Sequence, residues 1–162
     1  MFDDFIAILP EQIKGKGICA RLYTRTDSVL DDRSPTLFLK NMYDQRGRHK
    51  KKIDKLIRER FQIKRNIPYV IDSRMVFFAF KYRKSSYDKQ TRGFVNVKYV
   101  ERIVGSNILL KTGEIIETLS SEKSLIYNRI LAQALLAEEL LIVMRDNDEA
   151  IRYVVGRIRE RA

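Results

Sequence analysis

Residues 67–80 read IPYVIDSRMVFFAF, and the way that stretch is read decides the fold. From Pro68 onward the hydrophobic period is that of strands. IPYVID, MVFFAFKY, GFVNVKYVERIV, NILLK and EIIETL are rich in Val, Ile, Phe and Tyr, and several alternate apolar with polar side chains. Phe77, Phe78 and Phe80 have apolar neighbours, which favours a buried sheet face over a stacking platform for bases. Two turns separate the later strands: Gly105-Ser106-Asn107, and Thr112-Gly113, which predicts a hairpin between NILLK and EIIETL.

Upstream, FDDFIAIL (2–9) predicts a short first strand ending at Pro10, and ICARLYT (18–24) alternates as a half-buried strand does. The turn-like DDRSP follows, with Ser34 placed to cap a helix and Pro35 at its first position. From Ser121 the period is helical again. Leu125, Ile126, Ile130, Leu131, Ala134 and Leu135 fit one helix. Ile151, Val154, Val155 and Ile158 fit a last one, capped by Asn147 or Asp148. The expected class is α+β: a mostly antiparallel sheet with an inserted basic helical region and C-terminal helices, as one domain over 1–162. The apolar face around Leu131, Leu135 and Leu136 suits either a dimer contact within 121–162 or packing on the protein's own sheet.

The inserted region is where the charge lies. RGRHKKKIDKLIRERFQIKR (46–65) carries ten Lys or Arg and two acids, so +8 of the chain's +11 is local to it. Ile53, Leu56, Ile57 and Phe61 fall at helical spacing and predict an apolar stripe on a helix over 49–62, while Lys51, Lys55 and Arg58 form a ridge on another side. A second basic element, KYRKSSYDKQTRG (81–93), sets Lys81, Arg83, Lys84, Lys89 and Arg92 against one Asp, with Tyr82 and Tyr87 interleaved. Two one-sided elements point to a polyanion, nucleic acid first. On this reading Lys50, Lys51, Lys52, Lys55 and Arg58 neutralise phosphates, Arg83, Lys84, Lys89 or Arg92 reaches a minor groove, and Arg46, Arg48 and Lys81 complete the DNA-binding set.

Enzyme readings find little support. His49 is the only histidine and Cys19 the only cysteine, too few for a zinc cluster, a Cys/His dyad or a His-based triad. The pairs Asp3-Asp4, Asp31-Asp32 and Glu138-Glu139 lack the further carboxylate or lysine of a metal-dependent nuclease. Gly15 and Gly17 in IKGKG lack the rest of a phosphate loop, and no cofactor is implied. A lone cysteine, an acidic N-terminus and no long apolar run predict a cytoplasmic protein without a membrane span.

Read together, AILPEQIKGKGICARL, IPYVIDSRMVFFAF and GFVNVKYVERIVGSNILLKTGEIIETLSSEKSL resemble the ComK family of competence transcription factors, across most of residues 6–130. IRYVVGRIRER at the end adds a fainter likeness. The resemblance implies a DNA-binding activator that approaches paired A·T-rich boxes through the minor groove as dimers acting in pairs. It also implies delivery to a Clp-type protease by an adaptor, although LLIVM between Leu135 and Asn147 lacks the Pro-containing character of that region. VNVKYVERIVGSNILLKTGEIIETLS has in addition the cadence of LytTR-type domains, which read the major groove. A nonspecific basic nucleic-acid binder is the remaining alternative.

Overall fold

The computed structural model describes residues 4–85 and 89–161. The chain runs β1 (Ala7–Ile13), β2 (Gly17–Tyr23), β3 (Ser28–Asp31), α1 (Pro35–Gln45), α2 (Lys50–Phe61), β4 (Tyr69–Val70), β5 (Val76–Lys81) and β6 (Arg92–Asn96). Then come β7 (Val100–Val104), β8 (Asn107–Leu110), β9 (Ile115–Glu117) and α3 (Glu122–Arg161). The first six strands form one antiparallel sheet in the order β3-β2-β1-β6-β5-β4, and β7-β8-β9 form a second. The class is α+β, with an antiparallel sheet and a long C-terminal helix.

β5 is buried on both faces. Phe77 and Ala79 pack with Phe38, Leu39, Met42 and Tyr43 of α1. Val76, Phe78 and Phe80 point the other way, into a cluster with Leu125, Leu131 and Leu135 of α3, Ile57 of α2 and Ile108 and Leu110 of the small sheet. A strand covered on both sides reads as a continuous apolar run, which is why VFFAF carries no polar residue. Each buried Phe contributes roughly 1.5–3 kcal/mol.

Four expectations are corrected. The first strand does not stop at Pro10; β1 continues to Ile13, with Pro10 opposite Ala20. The missing N–H is harmless there, because β6 pairs only with Ala7 and Ile8 and leaves that side of Pro10 open. GFVNVKYVERIV is not one strand: a 3₁₀ turn at Val97–Tyr99 breaks it and carries the chain from the large sheet to the small one. Asn96 makes that corner. Its side chain accepts from Lys98 N–H and donates to the carbonyls of Phe5 and Arg74. Ser28–Asp31, unassigned in the sequence, forms the edge strand β3.

The fourth correction is the C-terminus. The two expected helices are one, the 40-residue α3. No Gly or Pro stands between Leu135 and Asn147 to stop it. Asp148, expected as a possible cap, is exposed inside the helix and takes an i,i+4 contact from Arg152 at 3.1 Å. The Ser34–Pro35 start of α1 forms as expected, with Ser34 accepting from Leu37 N–H. So do the Gly105 turn and the β8–β9 hairpin, and Cys19 is fully buried.

Gly93 sits opposite Phe80 in the β5–β6 register. A Cβ there would lie 2.6 Å from the Phe80 ring and 2.9 Å from Leu9 Cδ2. The ring is enclosed and cannot swing clear, so Gly93→Ala is expected to destabilise the protein by about 1–3 kcal/mol. Urea unfolding should show a lower midpoint at unchanged slope.

Candidate nucleic-acid interface

α2 begins at His49, whose Nδ1 accepts from the Lys52 N–H, and ends at Gln62 in the left-handed conformation. Its inward face differs in part from the expected stripe. Ile57 is buried, and Ile53 and Phe61 are half-buried against the core. Leu56, however, is 58% exposed, and the second buried side chain is Asp54. Asp54 tolerates burial because Lys50 pairs with it one turn earlier. The Lys50 ammonium also lies 5.1 Å from the Tyr69 ring centroid.

The basic residues therefore divide into two groups. In the first, the charge is committed to the fold. Arg48 makes a two-pronged contact with Glu139 of α3, at 2.9 and 2.7 Å, and also donates to the Val70 carbonyl. Arg46 pairs with Asp72 at 3.2 Å, and Lys50 with Asp54 as above. Arg60 of α2 pairs with Glu138, a second tie to α3. Arg60 holds the Glu138 carboxyl below the usual glutamate range. That pair's contribution is full above the unfolded glutamate pKa and fades as pH falls through the lower folded value.

The second group points outward. Lys51, Lys52, Lys55 and Arg58 are exposed and form no ion pair among the described residues. Lys51, Lys55 and Arg58 lie one helical turn apart on one side of α2.

The loop between β5 and β6 contributes differently at each position. Arg83 donates to the Gln90 carbonyl at 2.9 Å, a bond across the base of the loop. Lys84 and Lys89 are exposed on either side of residues 86–88, and the interleaved Tyr87 lies outside the described residues. Lys81 and Arg92 are cross-strand partners, and Arg92 also donates to the Asn66 side chain at 3.0 Å.

These last two open onto a feature that sequence reasoning missed. A cavity of about 390 Å³ is lined by Arg65, Lys81, Arg92, Ser120, Ser121 and Ser124. It lies against the start of α3, where Ser121 Oγ accepts from the Ser124 N–H. Asn128, 5% exposed, also borders it and is fixed by donating to the Ala79 carbonyl of β5. Three cationic residues, the four hydroxyl residues Thr91, Ser120, Ser121 and Ser124, and the positive end of a long helix dipole border it, a set suited to a phosphate oxygen. The available signal was SSEKS (120–124) at the head of a helix, together with Arg65 at the end of the basic stretch.

Among the described residues, no group of three or more His, Cys, Asp or Glu side chains is arranged to hold a metal ion, and no helix is long and apolar enough to cross a membrane. No protein-family model, curated protein or solved structure matches the chain at a significant level.

The division of charges is testable by stability alone. Arg48→Ala leaves the half-buried Glu139 without its partner and is expected to cost about 1–3 kcal/mol. Lys51→Ala removes an unpaired surface charge and should stay within about 0.5 kcal/mol of the parent. Urea unfolding at one pH checks both.

Proposed function

We propose that the chain is a sequence-specific DNA-binding transcription activator of the ComK type that recognises A·T-rich duplex DNA. The observation that carries the reading is the cavity where Arg65, Lys81 and Arg92 meet the serine-rich start of α3. It has the chemistry of a phosphate seat, and it adjoins the basic loop. The free cations of α2 add the sequence-independent term, releasing counterions from the DNA backbone. The sequence resemblance to ComK supplies the class of partner and the role as activator of competence genes.

In this mechanism Lys51, Lys52, Lys55 and Arg58 neutralise phosphates, and the cavity fixes the register on the duplex. Lys84 and Lys89, on the exposed flanks of the loop, then approach the minor groove, whose narrow A·T tracts deepen the negative potential. Arg83 holds the base of that loop, and Arg46, Arg48 and Lys50 support the surface from within.

The test is a titration at fixed salt into two duplexes of one length, one with paired A·T boxes and the other with those boxes made G·C-rich. A preference of about a hundredfold or more is expected, and equal weak binding would reduce the reading to a nonspecific polyanion binder. A small A·T minor-groove ligand should displace the protein; failure to do so would favour a major-groove reader. Lys51→Ala and Arg92→Ala should weaken both duplexes alike, each lowering the salt slope by about one. Lys84→Ala and Lys89→Ala should cost more on the A·T boxes. Uniform losses in all four variants would remove the loop's role in reading sequence.

A further inference from the structure

The second half of α3 leaves the body of the protein. Leu135 is the last of its fully packed side chains, and Glu138 and Glu139 make its final ties, to Arg60 and Arg48. From Leu140 to Arg161 every position is exposed except the half-buried Gly156. Ten large apolar side chains in this span are 39–68% exposed, from Leu140 through Ile158. The span is also a poor helix former alone: Ile142, Val143, Ile151, Val154, Val155 and Ile158 are β-branched and Gly156 is interior. Such a segment needs a partner to stay helical.

Its spacing says what kind. Leu140, Met144, Asn147, Ile151, Val154 and Ile158 alternate steps of four and three, the seam of a helix–helix pair, with one polar residue in the middle. We propose that the partner is a second copy of this chain, and that the two overhangs pair antiparallel about Glu149. That register sets Leu140 against Ile158, Met144 against Val154 and Asn147 against Ile151 of the second copy.

Two further observations favour it. Residues 145–149 carry one Arg against three acids, and residues 152–161 carry four Arg against one Glu. A parallel pair would lay each block beside its like. The antiparallel pair keeps the arginine-rich ends apart and lays residues 152–161 of each copy level with 137–146 of the other, which carry three acids against one Arg. The area is of the right order: the five apolar seam side chains with the flanking Leu141, Val143 and Val155, at roughly 60–120 Å² each, offer on the order of 500–1,000 Å² per copy, against about 800 Å² per partner in a stable dimer. The inference uses none of the residues assigned to DNA and stands or falls apart from that reading.

Sedimentation equilibrium of the full chain is expected to show a dimer with a Kd of micromolar or tighter, and a monomer at about 100 µM would overturn the proposal. Ile151→Asp with Val154→Asp should weaken the dimer at least about a hundredfold while the thermal midpoint of the body holds, since both side chains are more than half exposed. A dimer untouched by this pair of changes would place the interface elsewhere. For orientation, Leu140→Cys and Ile158→Cys variants are mixed and oxidised; Cys19 is fully buried and stays silent. A disulfide between the two variants, and none within either alone, is expected. Cross-linking within one variant alone would overturn the antiparallel order.

Discussion

The two-sided burial of β5 is the constraint on which the rest depends. One face packs against α1, which also rests on β1 and β2, and the other against α3, which also touches the 3₁₀ turn and β7. The Phe80 ring then requires a neighbour without a Cβ, which is Gly93, and the edge of the strand requires polar closure. Asn128 meets that need by donating to the Ala79 carbonyl, so the same strand that sets the core also anchors the first turns of α3. The candidate phosphate seat is a by-product of this packing: it opens where β5, β6 and the start of α3 converge on the segment after α2.

Crowding so many cations into 46–65 is tolerated because a good part of them are neutralised inside the chain. Glu138 and Glu139 on α3, with Asp54 and Asp72, take up Arg60, Arg48, Lys50 and Arg46. Arg60 ties α2 to α3 and Arg48 ties the turn before α2 to it, while Lys51, Lys52, Lys55 and Arg58, without an ion pair among the described residues, are displayed on the outer side of α2. Whole-chain charge thus overstates the number of residues free to meet a polyanion, while the distribution of partners identifies them.

Strand-forming segments, both later turns and the Ser34–Pro35 helix start were legible because their signals are local: side-chain period, turn glycines, a cap. What escaped was decided by distant contacts. Whether GFVNVKYVERIV bends at Asn96 depends on carbonyls at Phe5 and Arg74, far away in sequence. Leu56 is left exposed and Asp54 buried by the way α2 sits on the core, where Tyr69 lies beside the Lys50 that pairs with Asp54. For the candidate site, the outward lysines of α2 could be read from charge and spacing. The involvement of Arg46, Arg48 and Lys50 in ion pairs could not, nor could the meeting of Arg65 with the serines at 120–124, some 55 residues later.

The continuity of α3 has a mechanical consequence. The helix starts at the cation-lined cavity and runs without a break through the core contact to the exposed seam. In an antiparallel pair, Ser124 and its counterpart each stand about 25 residues from the midpoint, so the two cavities are roughly 75 Å apart along the common axis. Two separate helices joined by a hinge would let that separation wander. A single helix acts as a ruler, and whatever the two cavities hold is held at a fixed pitch.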